Sequence, residues 1–312
     1  MKTVAIIGGS GFIGSYITKK FLEEGFLVKA SVTNIKKSEK YQHLFTLENS
    51  DNLNISRLKA EDFEAVKEFI GDCEIVIHGG TPFQLEVEDP KKELFEPTVR
   101  GTENFLKAIS QAPRLKKIIF IASVAAYNTN FPLPAGNKSA EDTFSEKDTP
   151  FTSPESHPYA QAKFLANQMV EEFISNNKKS KVEIVSVSPV MVLGKSLSHR
   201  EDSTSTGIQF LFQKKIAPNP FIQMFYDEDV LLAIVDVRDV AEAVFHAATT
   251  AGLHGKNYLL SSESYPVSDV SLMLNHQSPR NESKQIYDNG LARQDLNIHF
   301  RPVRETLSDY SM

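Results

Sequence analysis

Ile7-Gly8-Gly9-Ser10-Gly11-Phe12-Ile13-Gly14 decides how this 312-residue chain is read. The run follows Thr3–Ile7, a β-branched apolar segment with the length of a buried strand, and opens Phe12–Glu24, a helical pattern that Gly25 closes. Gly8, Gly11 and Gly14 fit Gly-x-x-Gly-x-x-Gly, and Gly9, Gly11 and Gly14 fit Gly-x-Gly-x-x-Gly. Glycines there let the chain turn tightly and bring backbone N–H groups up to a pyrophosphate at the helix N-terminus. A glycine triplet alone says little. Between the first strand and first helix of an alternating pattern it marks a dinucleotide-binding unit. Gly8, Gly11, Phe12, Ile13 and Gly14 are therefore candidate cofactor contacts.

The alternation continues outward. Strands are expected at Leu27–Val32, Leu53–Leu58, Ile75–His78, Ile118–Ile121 and Val182–Val187. An apolar stripe at Phe63, Val66, Phe69 and Ile70 marks a helix, and a long helix runs from about Lys92 to Ser110. A loop at about 128–156 leads into a further helix, about 158–176. This order predicts an α/β fold, a Rossmann-type doubly wound parallel sheet with helices on both faces. After Pro189 the pattern weakens to loops around one short helix over 194–228, then a strand at Leu231–Val235, a helix at Asp239–Ala248 and a strand at Tyr258–Leu260. Residues 267–312 read as polar and mixed. We expect a dinucleotide-binding domain from 1–190 plus about 230–262, and a small discontinuous C-terminal substrate lobe from about 191–229 plus 263–312.

Bulk properties narrow the function. With 41% hydrophobic and 24% charged residues the chain can bury a large core. A net charge of −6 with scattered Lys and Arg gives no footprint for nucleic acid. No apolar run approaches a membrane span. The single cysteine, Cys73, allows no internal disulfide, and a reducing cytoplasmic setting is expected. The eight histidines have no metal-ligand spacing, so no metal is expected.

An Asp or Glu about 20 residues after the glycine turn would bind the adenosine ribose 2′-hydroxyl and select NAD. Here the positions are Ser31, Val32, Thr33 and Asn34, followed by Lys36, Lys37 and Lys40. Thr33, Lys36 and Lys40 are taken as candidate contacts, and NADP(H) is favoured over NAD(H). Solvated lysines are the competing reading.

Tyr159 and Lys163 lie four apart and so share one face of the expected helix. Tyrosine has an ordinary pKa near 10. A nearby ammonium and an oxidised nicotinamide would favour its phenolate and let it exchange a proton near neutrality. Lys163 would also hold the nicotinamide ribose. Ser123, just past the fifth strand, would donate to a substrate carbonyl. Ser123, Tyr159 and Lys163 are the candidate catalytic residues.

These features together resemble the extended short-chain dehydrogenases/reductases of the NAD-dependent epimerase/dehydratase superfamily, over nearly the whole chain. Ile121-Ala122-Ser123-Val124-Ala125-Ala126-Tyr127 is similar to that family's serine segment, with Ala122 where a second serine is common. Ser188-Pro189-Val190-Met191-Val192-Leu193-Gly194 resembles its nicotinamide-side segment, which implies Pro189 and Val192 as cofactor contacts. Val235-Asp236-Val237-Arg238-Asp239-Val240-Ala241 resembles a late signature whose charges tie the lobes together. His78-Gly79-Gly80-Thr81-Pro82-Phe83 is similar to the strand end of dihydroflavonol and cinnamoyl-CoA reductases. It implies Gly79 and Gly80 on the cofactor wall and Thr81 near substrate. Asn128 falls where dihydroflavonol reductases carry a substrate-facing asparagine; a loop cap is the competing reading. Thr98 stands where epimerases carry asparagine, and Thr33 where NADP-using reductases often carry arginine.

The resemblance implies an oxidoreductase that reduces an aldehyde or ketone to an alcohol, reversibly, with Tyr159 as proton donor. The alternative is a nucleotide-sugar epimerase or dehydratase with tightly bound NAD. The expected partner is a small-molecule carbonyl or alcohol substrate, and a homodimer through the two long helices is implied by the resemblance.

Overall fold

Short β-branched runs alternate with amphipathic stretches, and in the computed structural model they assemble a seven-stranded parallel sheet; the structure describes residues 2–79, 88–140, 142–178, 180–198 and 204–310. The strands in chain order are β1 (Thr3–Ile7), β2 (Leu27–Val32), β3 (Leu53–Arg57), β4 (Ile75–His78), β5 (Lys117–Ile121), β6 (Glu183–Pro189), β7 (Met191–Leu193), β8 (Leu231–Asp236), β9 (Asn257–Leu260) and β10 (Ser264–Pro266). The helices are α1 (Phe12–Glu23), α2 (Phe63–Ile70), α3 (Gly101–Ile109), α4 (Pro158–Asn176), α5 (Thr204–Lys214), α6 (Pro220–Asp227), α7 (Val237–Thr249), α8 (Val267–Leu274), α9 (Gly290–Leu296) and α10 (Val303–Ser308).

The main sheet runs β3-β2-β1-β4-β5-β6-β9, and every neighbouring pair is parallel. The order reverses between β1 and β4, which opens the crevice where such sheets take ligands. One face is covered by α1 and α7, with Val4, Ile6, Ile17, Phe21, Val240 and Val244 in one cluster. The other is covered by α2, α3 and α4 over Ala5, Ile7, Val66, Phe105, Ile118 and Val170. Burial on both faces explains why these strands read as continuous apolar runs. A fully covered side chain such as Phe21 contributes about 1.5–3 kcal/mol.

β8 does not join that sheet. It pairs in parallel with β7 and antiparallel with β10 in a separate three-stranded sheet. Leu193, Ile208, Phe212, Phe225, Leu232 and Val303 form a core between this sheet and the helices around it. Asp236 and Asp239 begin α7 and are fully buried. Asp236 accepts the Arg238 N–H at 2.7 Å and pairs with its guanidinium, which also reaches Asp309 at 2.8 Å. Asp239 pairs with Arg301. These charges clasp the Arg301–Asp309 stretch to the start of α7.

Three stretches differ from the expectation. The 194–228 region holds two helices, α5 and α6, where one was expected. The stretch read as polar and mixed holds α8, α9 and α10. The long helix is not uniform: Lys91–Arg100 is wound as a π-helix before α3 continues it, with Pro97 inside the wide run. Proline supplies no N–H and crowds the preceding turn, which a regular α-ladder does not accommodate.

Candidate active site

The glycine turn is built by hydrogen bonds as much as by glycine. Gly8 has φ +81° and accepts the Gly11 N–H at 3.0 Å through its carbonyl. Its own N–H donates to the Ser31 hydroxyl at 2.9 Å, which stitches the turn to the end of β2. A Cβ on Gly14 would stand 2.0 Å from the Gly8 carbonyl oxygen, so only glycine lets α1 start this close to the turn. Gly11 occupies the N-cap of α1 without a side-chain cap. The first N–H donors of the helix are thus backbone groups beside a cavity, an arrangement suited to a pyrophosphate. The residues present fit a dinucleotide.

That cavity, about 380 Å³, is lined by Gly8, Gly11, Phe12, Ile13, Gly14, Gly79, Ser123, Tyr159, Lys163, Pro189 and Val192. Eleven candidate residues from distant parts of the chain therefore meet at one surface. The rest of the lining is largely apolar, with Phe131, Pro132, Met191, Ile208, Phe221 and Phe225, and also includes His157 and Ser198.

Each reactive group arrives from a distinct element. Ser123 follows β5, its hydroxyl accepts the Ala125 N–H at 3.2 Å, and it is hydrogen-bonded to the Tyr159 phenol. Pro158 starts α4, and His157 caps it by accepting the Tyr159 N–H through Nδ1 at 3.2 Å. Tyr159 and Lys163 then project from one face. Lys163 Nζ donates to the Ile121 carbonyl at 2.9 Å, at the end of β5.

Burial governs the electrostatics. Lys163 is held down to about 8 by desolvation. The Tyr159 phenol is pushed up by desolvation, opposed by its bond to Ser123. Its side chain is partly buried and lines the cavity. The expectation that the lysine would draw the phenol down is not met in the protein alone, where the ammonium is directed to the Ile121 carbonyl. Behind Lys163, His78 lies against Phe105 and Phe120 with ring centroids at 4.7 and 5.1 Å. Burial and the Lys163 charge hold that imidazole down to about 4.

Other candidates lie elsewhere. Asn128 is fully buried and does not line the cavity. Its amide donates to the Leu133 carbonyl and the Tyr287 hydroxyl, both at 2.9 Å, and its oxygen accepts the Asn130 N–H at 2.9 Å. Those bonds pin the loop after Ser123. Thr33 and Lys36 are exposed beyond β2, Lys40 is partly so, and none of the three lines the cavity. Gly80 and Thr81 lie outside the described residues. Sequence reading passed over Ser31, the Ile121 carbonyl, His157 and the α5–α6 wall. The Asn219-Pro220 helix start with Phe221 and Phe225 one turn apart was a legible signal for part of that wall.

Comparison with known proteins places this geometry in context. Residues 4–261 match the model of the NAD dependent epimerase/dehydratase family. Anthocyanidin reductase of Arabidopsis thaliana is 26% identical over 303 residues, covering 95% of this chain and 86% of that protein. An uncharacterised oxidoreductase of Schizosaccharomyces pombe is 30% identical over 293 residues, covering 89% and 83%. Among solved structures, yeast methylglyoxal/isovaleraldehyde reductase Gre2 complexed with NADPH superimposes with a TM-score of 0.80 at 22% identity, covering 98% of this chain and 96% of that one.

Proposed function

Because the chain belongs to the NAD dependent epimerase/dehydratase family, we propose that it is an NADP(H)-dependent reductase that converts an aldehyde or ketone to an alcohol. The observation that carries this reading is the convergence of Ser123, Tyr159 and Lys163 on the cavity that the glycine turn enters. Relatives named as reductases, and a neighbour solved with NADPH, support it.

Gly8 to Gly14 would hold the pyrophosphate at the start of α1, and Gly79, Pro189 and Val192 would wall the rest of the dinucleotide. When bound, the reduced nicotinamide supplies the hydride. Ser123 orients the carbonyl oxygen of the substrate by hydrogen bonding. The Tyr159 hydroxyl donates its proton to that oxygen. Lys163 places an ammonium one helical turn away, against the end of β5. Phe131, Phe221 and Phe225 would present an apolar surface to the carbon skeleton of the substrate. Among the described lining residues a nucleotide sugar would find few polar partners, which favours a carbonyl reductase over an epimerase.

NADPH oxidation across an aldehyde and ketone panel tests the proposal. Tyr159→Phe should fold, bind NADPH and lose about 10²–10⁴-fold in turnover. Undiminished turnover in that variant would remove Tyr159 from the chemistry. Two subsidiary expectations belong to the same reading: a cytoplasmic setting, and pairing of two copies through the long helices, which light scattering checks. No helix among the described residues is long and apolar enough to cross a membrane.

A further inference from the structure

The end of β3 carries a cation that inspection of the β2 end alone passes over. In the parallel register Val32 stands opposite Arg57. Arg57 therefore lies one strand spacing, about 4.8 Å, from the last residue of β2, where the turn at Thr33 begins. Alternate side chains leave a strand on opposite faces, so Arg57 shares the face of Leu53 and Ile55. That face is identified by its packing: Leu53 and Ile55 lie with Val32 against Tyr41, Leu44 and Leu47. It is the face over which the 34–47 segment folds back. Asn34 accepts the Lys36 N–H at 3.0 Å, and the Tyr41 hydroxyl donates to the Ile35 carbonyl at 2.7 Å. Lys36, Lys37 and Lys40 ride on that segment. Arg57 is exposed, and it takes part in no ion pair among the described residues.

The glycine turn connects this corner to the cavity. Gly8 bonds Ser31, the residue before Val32, so a dinucleotide leaving the start of α1 reaches its adenosine ribose over the end of β2. No carboxylate stands there to accept a 2′-hydroxyl. We infer that Arg57 selects a 2′-phosphate on that ribose, so that β3 supplies the guanidinium which the β2 end, with Thr33, does not. A guanidinium grips phosphate through two parallel N–H donors, which the point charge of a lysine does not reproduce. The inference rests on the dinucleotide reading of the proposed function and goes beyond it by assigning the discrimination to one residue.

Fluorescence titration of the protein with NADPH and with NADH tests it through binding alone. The wild type should bind NADPH at least about tenfold more tightly than NADH, and Arg57→Gln should lose about tenfold in NADPH affinity with NADH unchanged. Arg57→Lys should recover only part of the loss, and raised salt should shrink the wild-type preference. An Arg57→Gln variant that keeps the full NADPH preference overturns the assignment. So does a wild type without preference, or a variant in which both affinities fall together. Turnover separates the two levels: if the wild type reduces carbonyls with NADPH and Arg57→Gln still discriminates, only the arginine assignment fails. If the wild type binds neither dinucleotide, the reductase reading fails and this inference goes with it.

Discussion

Lys163→Met should give a protein that is more stable than the wild type near pH 7 and does not turn over. The side chain is buried, and its folded pKa lies at about 8 against the ordinary 10.5. That difference, 10.5 − 8 = 2.5 units, corresponds to about 3.4 kcal/mol of cost for keeping the ammonium inside at pH values well below 8. Methionine fills a similar volume without that cost. It also deprives the Ile121 carbonyl of its donor, a loss of about 1–3 kcal/mol. The net expectation is a gain of about 1 kcal/mol for the variant at pH 7.

The sign of the pH dependence is the sharper test. The folded pKa is below the unfolded one, so the native state sheds its proton first as pH rises. Between about 8 and 10.5 the unfolded chain holds the extra proton, and the wild type gains stability over that window. From pH 7 to pH 9 it should gain about 1.4 kcal/mol relative to Lys163→Met, which has nothing to titrate there. Urea unfolding of both proteins at the two pH values measures this directly. A stability difference that stays constant from pH 7 to pH 9 would refute the argument that burial of this ammonium is what costs stability.

Gly14→Ala should weaken NADPH binding by about 10²-fold, because its Cβ would sit 2.0 Å from the Gly8 carbonyl oxygen and force the cradle to shift by about 1 Å; isothermal titration checks it, and unchanged affinity would remove the pyrophosphate from this turn. Asn128→Ala should cost about 2–4 kcal/mol in urea unfolding, since the Leu133 carbonyl, the Tyr287 hydroxyl and the Asn130 N–H all lose a buried partner. A variant that kept its stability but raised KM for the carbonyl would instead make Asn128 a substrate contact.

The parts of the fold that sequence rendered well are those where one physical requirement dominates. β1, the glycine turn and the start of α1 were read to the residue, because a buried strand, a tight turn and a helix start each leave their own composition. β5 was read one residue short. Its first residue, Lys117, is a buried lysine satisfied by Glu183 and the Thr250 carbonyl, partners that no local pattern reveals. β7 and β10 have three residues each, too few to establish a period. α8 was legible in principle: Pro266 precedes Val267, Val270, Met273 and Leu274, all turned inward. It was lost among polar neighbours. At the site, spacing brought Tyr159 and Lys163 to one face, but the Ile121 carbonyl that receives the ammonium is a tertiary partner, and so is the register that brings Arg57 beside Val32.

The direction of the two shifts bears on the direction of the reaction. Desolvation raises the phenol and lowers the ammonium, so burial drives both groups toward their neutral forms. A phenol held protonated across neutral pH is ready as an acid, which carbonyl reduction needs at its first use. The reverse reaction needs phenolate at the outset, which the Ser123 bond favours. The additional stabilisation for alcohol oxidation must come from positive charge brought close to the ring, and an oxidised nicotinamide carries such a charge. Burial thus holds the phenol in the protonated form that reduction uses first, while the phenolate that oxidation uses first depends on which form of the cofactor occupies the cavity. The rate of carbonyl reduction should therefore hold nearly level from pH 6 to pH 8 while alcohol oxidation rises over the same range, and initial rates in the two directions, measured with saturating cofactor, test that asymmetry.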